Sequence, residues 1–225
     1  MYDAVDDPYT YENSTVLINK LDLRTQSALD DFEAEISSAR AREPLPASDL
    51  DFAHYCAVHH HLFQDVYEWA GKPRTVRISK QGNPFCFPEN IGSQATKLFS
   101  DLKDTGFLRN LSADEFASKA AHFLSELNAI HAFREGNGRA QLTFLALLAD
   151  GAGHPLNMEK LDPEVMLNAM IASFGGDESQ LRVRYCQSYR LKSDPLDTRP
   201  APHQNSPGTK NRKRHDDHRL PGPCL

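Results

Sequence analysis

Apolar residues recur at helical spacing along most of this chain. Leu29, Phe32 and Ile36 fall three and four positions apart behind Thr25 and Ser27, either of which can cap, and predict a first helix ending near Ala41, before Pro44. After Ser48 a stripe of Phe52, Tyr55, Cys56, Leu62, Phe63, Val66 and Tyr67 predicts one long central helix that runs to Trp69 and stops at Gly71. The period then changes. Thr75 to Ser79 alternates in the β manner, Gln81, Gly82 and Asn83 supply turn residues, and Phe85 to Phe87 resumes the alternation, which predicts an isolated hairpin. A lone hairpin among helices leaves unpaired strand edges, so it reads as a lid or docking edge.

Helical spacing returns behind Pro88, with Ile91, Ala95, Leu98, Phe99 and Leu102 turned inward. Ser112 and Glu115 have capping-box spacing and open a fourth helix, which carries Phe116, Ala120, Phe123, Leu124 and Leu127 towards His131. A fifth helix is expected from about Gly138 to Ala149, and further ones fit 162–173 and 178–190. The fold class is therefore mainly α, a helical bundle with one β-hairpin flap.

Around this body, residues 1–24 carry few apolar positions and read as an extended lead-in, and 25–192 form one domain. Residues 193–225 hold six of the fourteen prolines and almost nothing apolar, the composition of a disordered tail. Its basic run from Lys210 to Arg214 fits solvated low-complexity sequence better than a phosphate-binding patch.

Composition narrows the function. A net charge of −6 argues against nucleic acid as a partner, because that affinity rests on many Lys and Arg contacts to phosphate. Without a run of about 18 apolar residues, and with an acidic N-terminus in place of a basic one, neither a membrane span nor a signal peptide is expected; the chain should fold in a cytoplasm. Cys56, Cys86, Cys186 and Cys224 form no CxxC pair and read as ordinary thiols. The triplet His59, His60, His61 resembles a metal cluster, yet consecutive helical side chains splay by about 100° and cannot converge on one ion.

Candidate chemistry gathers in nine residues, His131 to Arg139. A helix ends at an imidazole, a short loop offers Glu135 and two glycines, and a new helix begins at Gly136 or Gly138. Such a helix start is an anion hole, because its first N–H groups are unpaired and glycine lets a phosphate come close. Asn137 offers a side-chain donor, and Arg139 a planar fork suited to phosphate oxygens. A carboxylate beside bound phosphates implies an intervening divalent cation, so Glu135 is the candidate Mg²⁺ ligand. His131, whose type titrates near neutrality, is the candidate general base.

This segment resembles the signature of the Fic (Fic/Doc) family, H-P-F-x-[DE]-G-N-G-R-x-x-R, and stands here as His131, Ala132, Phe133, Arg134, Glu135, Gly136, Asn137, Gly138, Arg139, Ala140, Gln141 and Leu142. The likeness extends over roughly residues 8–190, through Leu62 to Gly71, Arg74 to Ser79, and Phe85 to Ile91 around the family's flap. The resemblance implies a Fic fold that transfers AMP from ATP to a Tyr, Ser or Thr hydroxyl of another protein. His131 would deprotonate that hydroxyl, Glu135 would hold Mg²⁺ between the α- and β-phosphates, and Gly136, Asn137 and Gly138 would form the phosphate hole. Arg139 would hold the β-phosphate, Phe133 would pin the loop, and the flap from Ile78 to Phe85 would clamp the target protein. Gly138 stands where the phosphate-transferring Doc branch carries lysine, which favours nucleotide transfer.

Two positions depart from the pattern. Ala132 replaces proline and removes no chemical group. Leu142 replaces the second arginine, which in the family meets the γ-phosphate and pairs with an inhibitory glutamate. That substitution leaves open a different nucleotide donor, or a module that binds nucleotide or partner without turnover. The inhibitory motif [ST]-x-x-x-E-[GN] is absent: Glu12, Glu89 and Glu135 are the glutamates followed by Gly or Asn, and Pro8, Phe85 and His131 precede them by four. Inhibition is then expected from a separate small antitoxin chain. The lead-in, with Tyr9, Tyr11, Leu17, Lys20, Leu21, Leu23 and Arg24, is similar to the family's toxin and effector group, some of which are delivered into another cell.

Overall fold

Ser112 starts the helix that delivers the candidate loop. Its hydroxyl accepts the Glu115 N–H while the Glu115 carboxylate accepts the Ser112 N–H, a reciprocal capping box. The helix so begun, α4 (Ala113–Ile130), is one of six in the computed structural model, which describes residues 7–80, 82–157, 162–174 and 177–183. The others are α1 (Gln26–Arg40), α2 (Phe52–Phe63), α3 (Pro88–Asp104), α5 (Asn137–Gly151) and α6 (Pro163–Phe174), with a short turn of helix at 179–183. The tail at 193–225, Cys186, Cys224 and the rest of the helix expected over 178–190 lie outside the described residues. Cys56 and Cys86 are free thiols. No helix among the described residues is long and apolar enough to cross a membrane.

The core lies between α2, α4 and α5, where Tyr55, Phe133 and Phe144 are fully buried and Phe99 of α3 joins them. Tyr55 and Phe144 meet edge to face at 5.7 Å, the offset that aromatic quadrupoles favour. In α1 the buried face differs from the expected one: Leu29, Glu33 and Ser37 point inward, while Phe32 and Ile36 are half-buried. An acid and a hydroxyl thus share the inner face with a leucine.

The central helix is also shorter than its apolar stripe. α2 ends at Phe63, and residues 64–71 turn back over it, so Val66 and Tyr67 are buried from a turn. Two histidines hold that turn: the Gly71 N–H donates to His59 Nδ1 at 2.9 Å, and His60 Nδ1 meets the Ala70 carbonyl at 3.0 Å. Gly71 has φ +80°, and a Cβ there would lie 2.8 Å from the His60 Cβ, so this close approach admits only glycine. Periodicity records which residues are buried and is blind to a turn that buries them equally well.

A hairpin forms about the expected turn, but of the stretches expected as strands, Thr75 to Ser79 and Phe85 to Phe87, only Ser79 is in one: the strands are two residues each, β1 (Ser79–Lys80) and β2 (Asn83–Pro84), paired antiparallel with Ser79 opposite Pro84. Its arms are tied by a side chain instead of a longer ladder. Arg74, 2 % exposed, donates to the carbonyls of Val76 (2.6 Å), Cys86 (2.6 Å), His131 (2.9 Å) and Ile130 (3.4 Å). A buried cation costs several kcal/mol unless its donors are satisfied, and these carbonyls satisfy them. Those carbonyls are then unavailable for cross-strand pairing.

Residues 7–24 contain no helix, and they fold back on themselves through an isolated bridge between Thr10 and Leu17. Val16 and Leu17 are buried in the core.

Candidate active site

α4 ends at His131 in the left-handed region (φ 48°), and α5 begins after Gly136, also left-handed (φ 77°). Between these reversals the loop is held from every side. Phe133 is fully buried and stacks on the His59 ring at 3.8 Å. His59 Nε2 in turn donates to the Glu135 carbonyl at 3.0 Å, because its Nδ1 is already an acceptor from Gly71. The Ala132 carbonyl accepts the Arg74 N–H at 2.8 Å, in the place where the motif has proline. Arg134, 4 % exposed, pairs with Asp7 of the lead-in at 2.6 Å.

The loop's own residues finish its shape. Asn137 accepts the Phe133 N–H at 2.9 Å and donates to the Phe133 carbonyl at 2.8 Å, so both ends of its amide close the turn. One of the two N–H donors of its amide is thereby used within the loop. Asn137 can offer its backbone N–H, with those of Gly138 and Arg139, since the first turn of a helix has no intrahelical partners and Gly136 supplies no side-chain cap. At Gly136 a Cβ would lie 2.4 Å from the Phe63 ring, so glycine is required for space as well as for φ. At Gly138 a Cβ would meet nothing within 4 Å, so the space beside the first turn of α5 is open.

Three candidate side chains lie on this loop and the first turn of α5. The His131 ring, 5 % exposed, stacks on Phe85 of the flap at 3.9 Å, and its Nδ1 meets the Asn128 carbonyl at 3.2 Å. That bond puts the ring proton on Nδ1 and the lone pair on Nε2. Burial pulls its pKa from 6.5 to about 3, with Arg74 and Lys80 pushing the same way. The ring is therefore neutral at pH 7. Glu135 is half-buried; Oε1 accepts the Gly136 N–H at 2.9 Å, and Oε2 makes no hydrogen bond among the described residues. Burial raises its pKa, and the nearby Glu33 carboxylate adds to the rise.

Arg139, in the first turn of α5, lies over the Phe63 ring at 4.6 Å. Its guanidinium donates to Ser37 Oγ at 3.1 Å and forms an ion pair with Glu33, whose other oxygen accepts the Tyr67 hydroxyl. Sequence reading selected His131, Glu135 and Arg139, and the fold brings all three to one loop. It missed Glu33, His59, Arg74 and Arg134. The signal for Glu33 was an acid in line with Leu29 and Ser37 at i±4. The histidine triplet carried part of the signal for His59: its three rings go to separate carbonyls, of Glu135, Ala70 and Arg40.

A helix-loop-helix with an imidazole, an acid and a guanidinium around a glycine-lined helix start defines a nucleotide- or phosphate-handling protein of the Fic class. A family model described as Fic/DOC family matches residues 49–149, and the chain belongs to that family. Among its relatives, the probable protein adenylyltransferase y4lH of Sinorhizobium fredii is 51 % identical over 181 residues, covering 80 % of this chain and 94 % of that one. The protein adenylyltransferase VbhT of Bartonella schoenbuchensis is 36 % identical over 78 % of this chain but only 37 % of its own length. The BepC effector of Bartonella tribocorum, solved with bound AMPPNP, superposes with a TM-score of 0.72 at 26 % identity, covering 80 % of this chain and 95 % of that one. The N-terminal Fic domain of a putative cell filamentation protein from Bartonella quintana, solved with ADP, gives 0.72 at 27 % identity over 80 % and 93 %.

Proposed function

We propose that this chain is a protein adenylyltransferase: it transfers AMP from ATP to a Tyr, Ser or Thr hydroxyl of a target protein and releases pyrophosphate. The observation that carries this reading is one loop, bounded by two left-handed turns, that carries His131 and Glu135 and runs into an α5 N-terminus bearing Arg139. Support also comes from relatives named protein adenylyltransferases and from relatives solved with AMPPNP and ADP.

In this reading the backbone N–H groups of Asn137, Gly138 and Arg139 receive the phosphates, and Arg139 binds the β-phosphate. His131 Nε2 removes the proton of the target hydroxyl as its oxygen attacks the α-phosphorus; the bond to the bridging oxygen breaks and pyrophosphate leaves. Glu135 fits a Mg²⁺ ion, since one oxygen is occupied by Gly136 and the other is left for a cation, and Mg²⁺ is commonly held by one carboxylate with phosphates and waters. When bound, the ion would neutralise charge on the phosphates.

The target segment docks as an added strand on the flap from Ile78 to Phe85, beside the Phe85 ring that stacks on His131. Inhibition comes from a separate small antitoxin chain, and the enzyme acts in a cytoplasm, its own or that of a cell receiving it; two of the solved relatives are described as VirB-translocated effectors. Leu142, half-buried against the core, favours a second reading, a changed nucleotide donor or binding without turnover. Incubation with α-labelled ATP, Mg²⁺ and a cell lysate tests the proposal. Label on a protein band that is lost with His131→Ala supports it; label only from another nucleotide, or binding without label, supports the second reading.

A further inference from the structure

Glu33 has no place in the motif, yet it is the residue that touches the motif's arginine. It lies on α1, about a hundred positions earlier in the chain, and is 7 % exposed. One carboxylate oxygen holds Arg139 and the other holds the Tyr67 hydroxyl, itself 1 % exposed. Ser37, one turn further along α1 on the same face, takes a second donor of the same guanidinium, and Phe63 supports its plane. An arginine at a helix start would otherwise sample many rotamers, whereas this one is fixed at two nitrogens and one face.

We propose that Glu33 is a positioning residue for nucleotide recognition, acting through Arg139 to hold its guanidinium where it meets the β-phosphate. The proposal rests on the adenylyltransferase reading, in which Arg139 binds that phosphate. The sign of the electrostatics makes it testable. Glu33 is an anion beside an anion site, so its charge alone weakens phosphate binding. A residue that only repelled or blocked nucleotide would, when neutralised, tighten ADP. A residue that positions Arg139 would loosen ADP in spite of the lost repulsion. AMP lacks the β-phosphate and reports the rest of the pocket.

The experiment is calorimetric titration of the full chain, with Mg²⁺, by ADP and by AMP, for wild type, Glu33→Gln, Arg139→Ala and the double variant. Arg139→Ala should sharply lower the preference for ADP over AMP, leaving the part that Mg²⁺ and the backbone N–H groups supply. Glu33→Gln should lower that preference by about tenfold, the worth of one charge-assisted hydrogen bond, and should add nothing in the Arg139→Ala background. Tyr67→Phe, which loosens Glu33 without removing it, should lower the preference less and covers the case in which Glu33→Gln does not fold. An unchanged or increased preference in Glu33→Gln, or an equal loss of ADP and AMP, overturns the positioning role. A preference left unchanged by Arg139→Ala overturns the β-phosphate role of Arg139 itself, a separate failure visible in a separate variant.

Discussion

Leu142 sits three residues past Arg139 on α5, half-buried at the edge of the core. Residues at that spacing share a helix face, so an arginine there would project beside Arg139 and could meet the last phosphate of ATP. Leu142→Arg is therefore expected to raise kcat/KM for ATP by about tenfold, one charge-assisted contact; steady-state transfer assays check it, and equal or slower transfer would show that position 142 does not face the nucleotide. At this scale the sequence singles out His131, Glu135 and Arg139, because a motif packs them into nine consecutive positions. It was silent on Glu33 and Arg74. Their partners, Arg139 for one and the His131 carbonyl for the other, are distant in sequence, and no local period records such a contact.

At the scale of elements, the loop's rigidity depends on two buried neutral imidazoles. His59 is fully buried between Phe133 and Phe63, and burial takes its pKa, like that of His131, from 6.5 to about 3. Between those limits the unfolded chain binds protons that the native one refuses, so stability falls as pH falls below 6.5. Each ring can contribute a slope of about 1.4 kcal/mol per pH unit well inside the window. Glu135 works in the opposite direction, since its raised pKa lets the native state take a proton first, and one such group is set against two rings. Urea unfolding should give a lower midpoint at pH 5 than at pH 7, by about 1–3 kcal/mol in stability. A midpoint that holds or rises on acidification would mean that these rings are charged in the native state. Helix ends show the same divide in legibility: Ser112 and Glu115 announced α4, while the end of α2 at Phe63 was hidden because Val66 and Tyr67 continue the apolar stripe through a turn.

For the molecule as a whole, the motif loop is braced by parts far apart in the chain. Asp7 of the lead-in holds Arg134, α1 holds Arg139, the turn after α2 holds His59, and Arg74 joins the flap to His131. The mainly α class and the hairpin followed from periodicity. The role of the lead-in did not, since it acts through scattered contacts, among them the Asp7–Arg134 ion pair, buried Val16 and Leu17, and the Tyr9 bond to Thr75, instead of a repeating pattern. The whole arrangement is proposed to serve one transfer, and the nature of the transferred group tests it most directly. Mass spectrometry of a target protein after incubation with this enzyme, ATP and Mg²⁺ should find AMP esterified to a Tyr, Ser or Thr oxygen. A phosphate alone on that oxygen, or a nucleotide other than AMP from a mixed pool, would contradict the account.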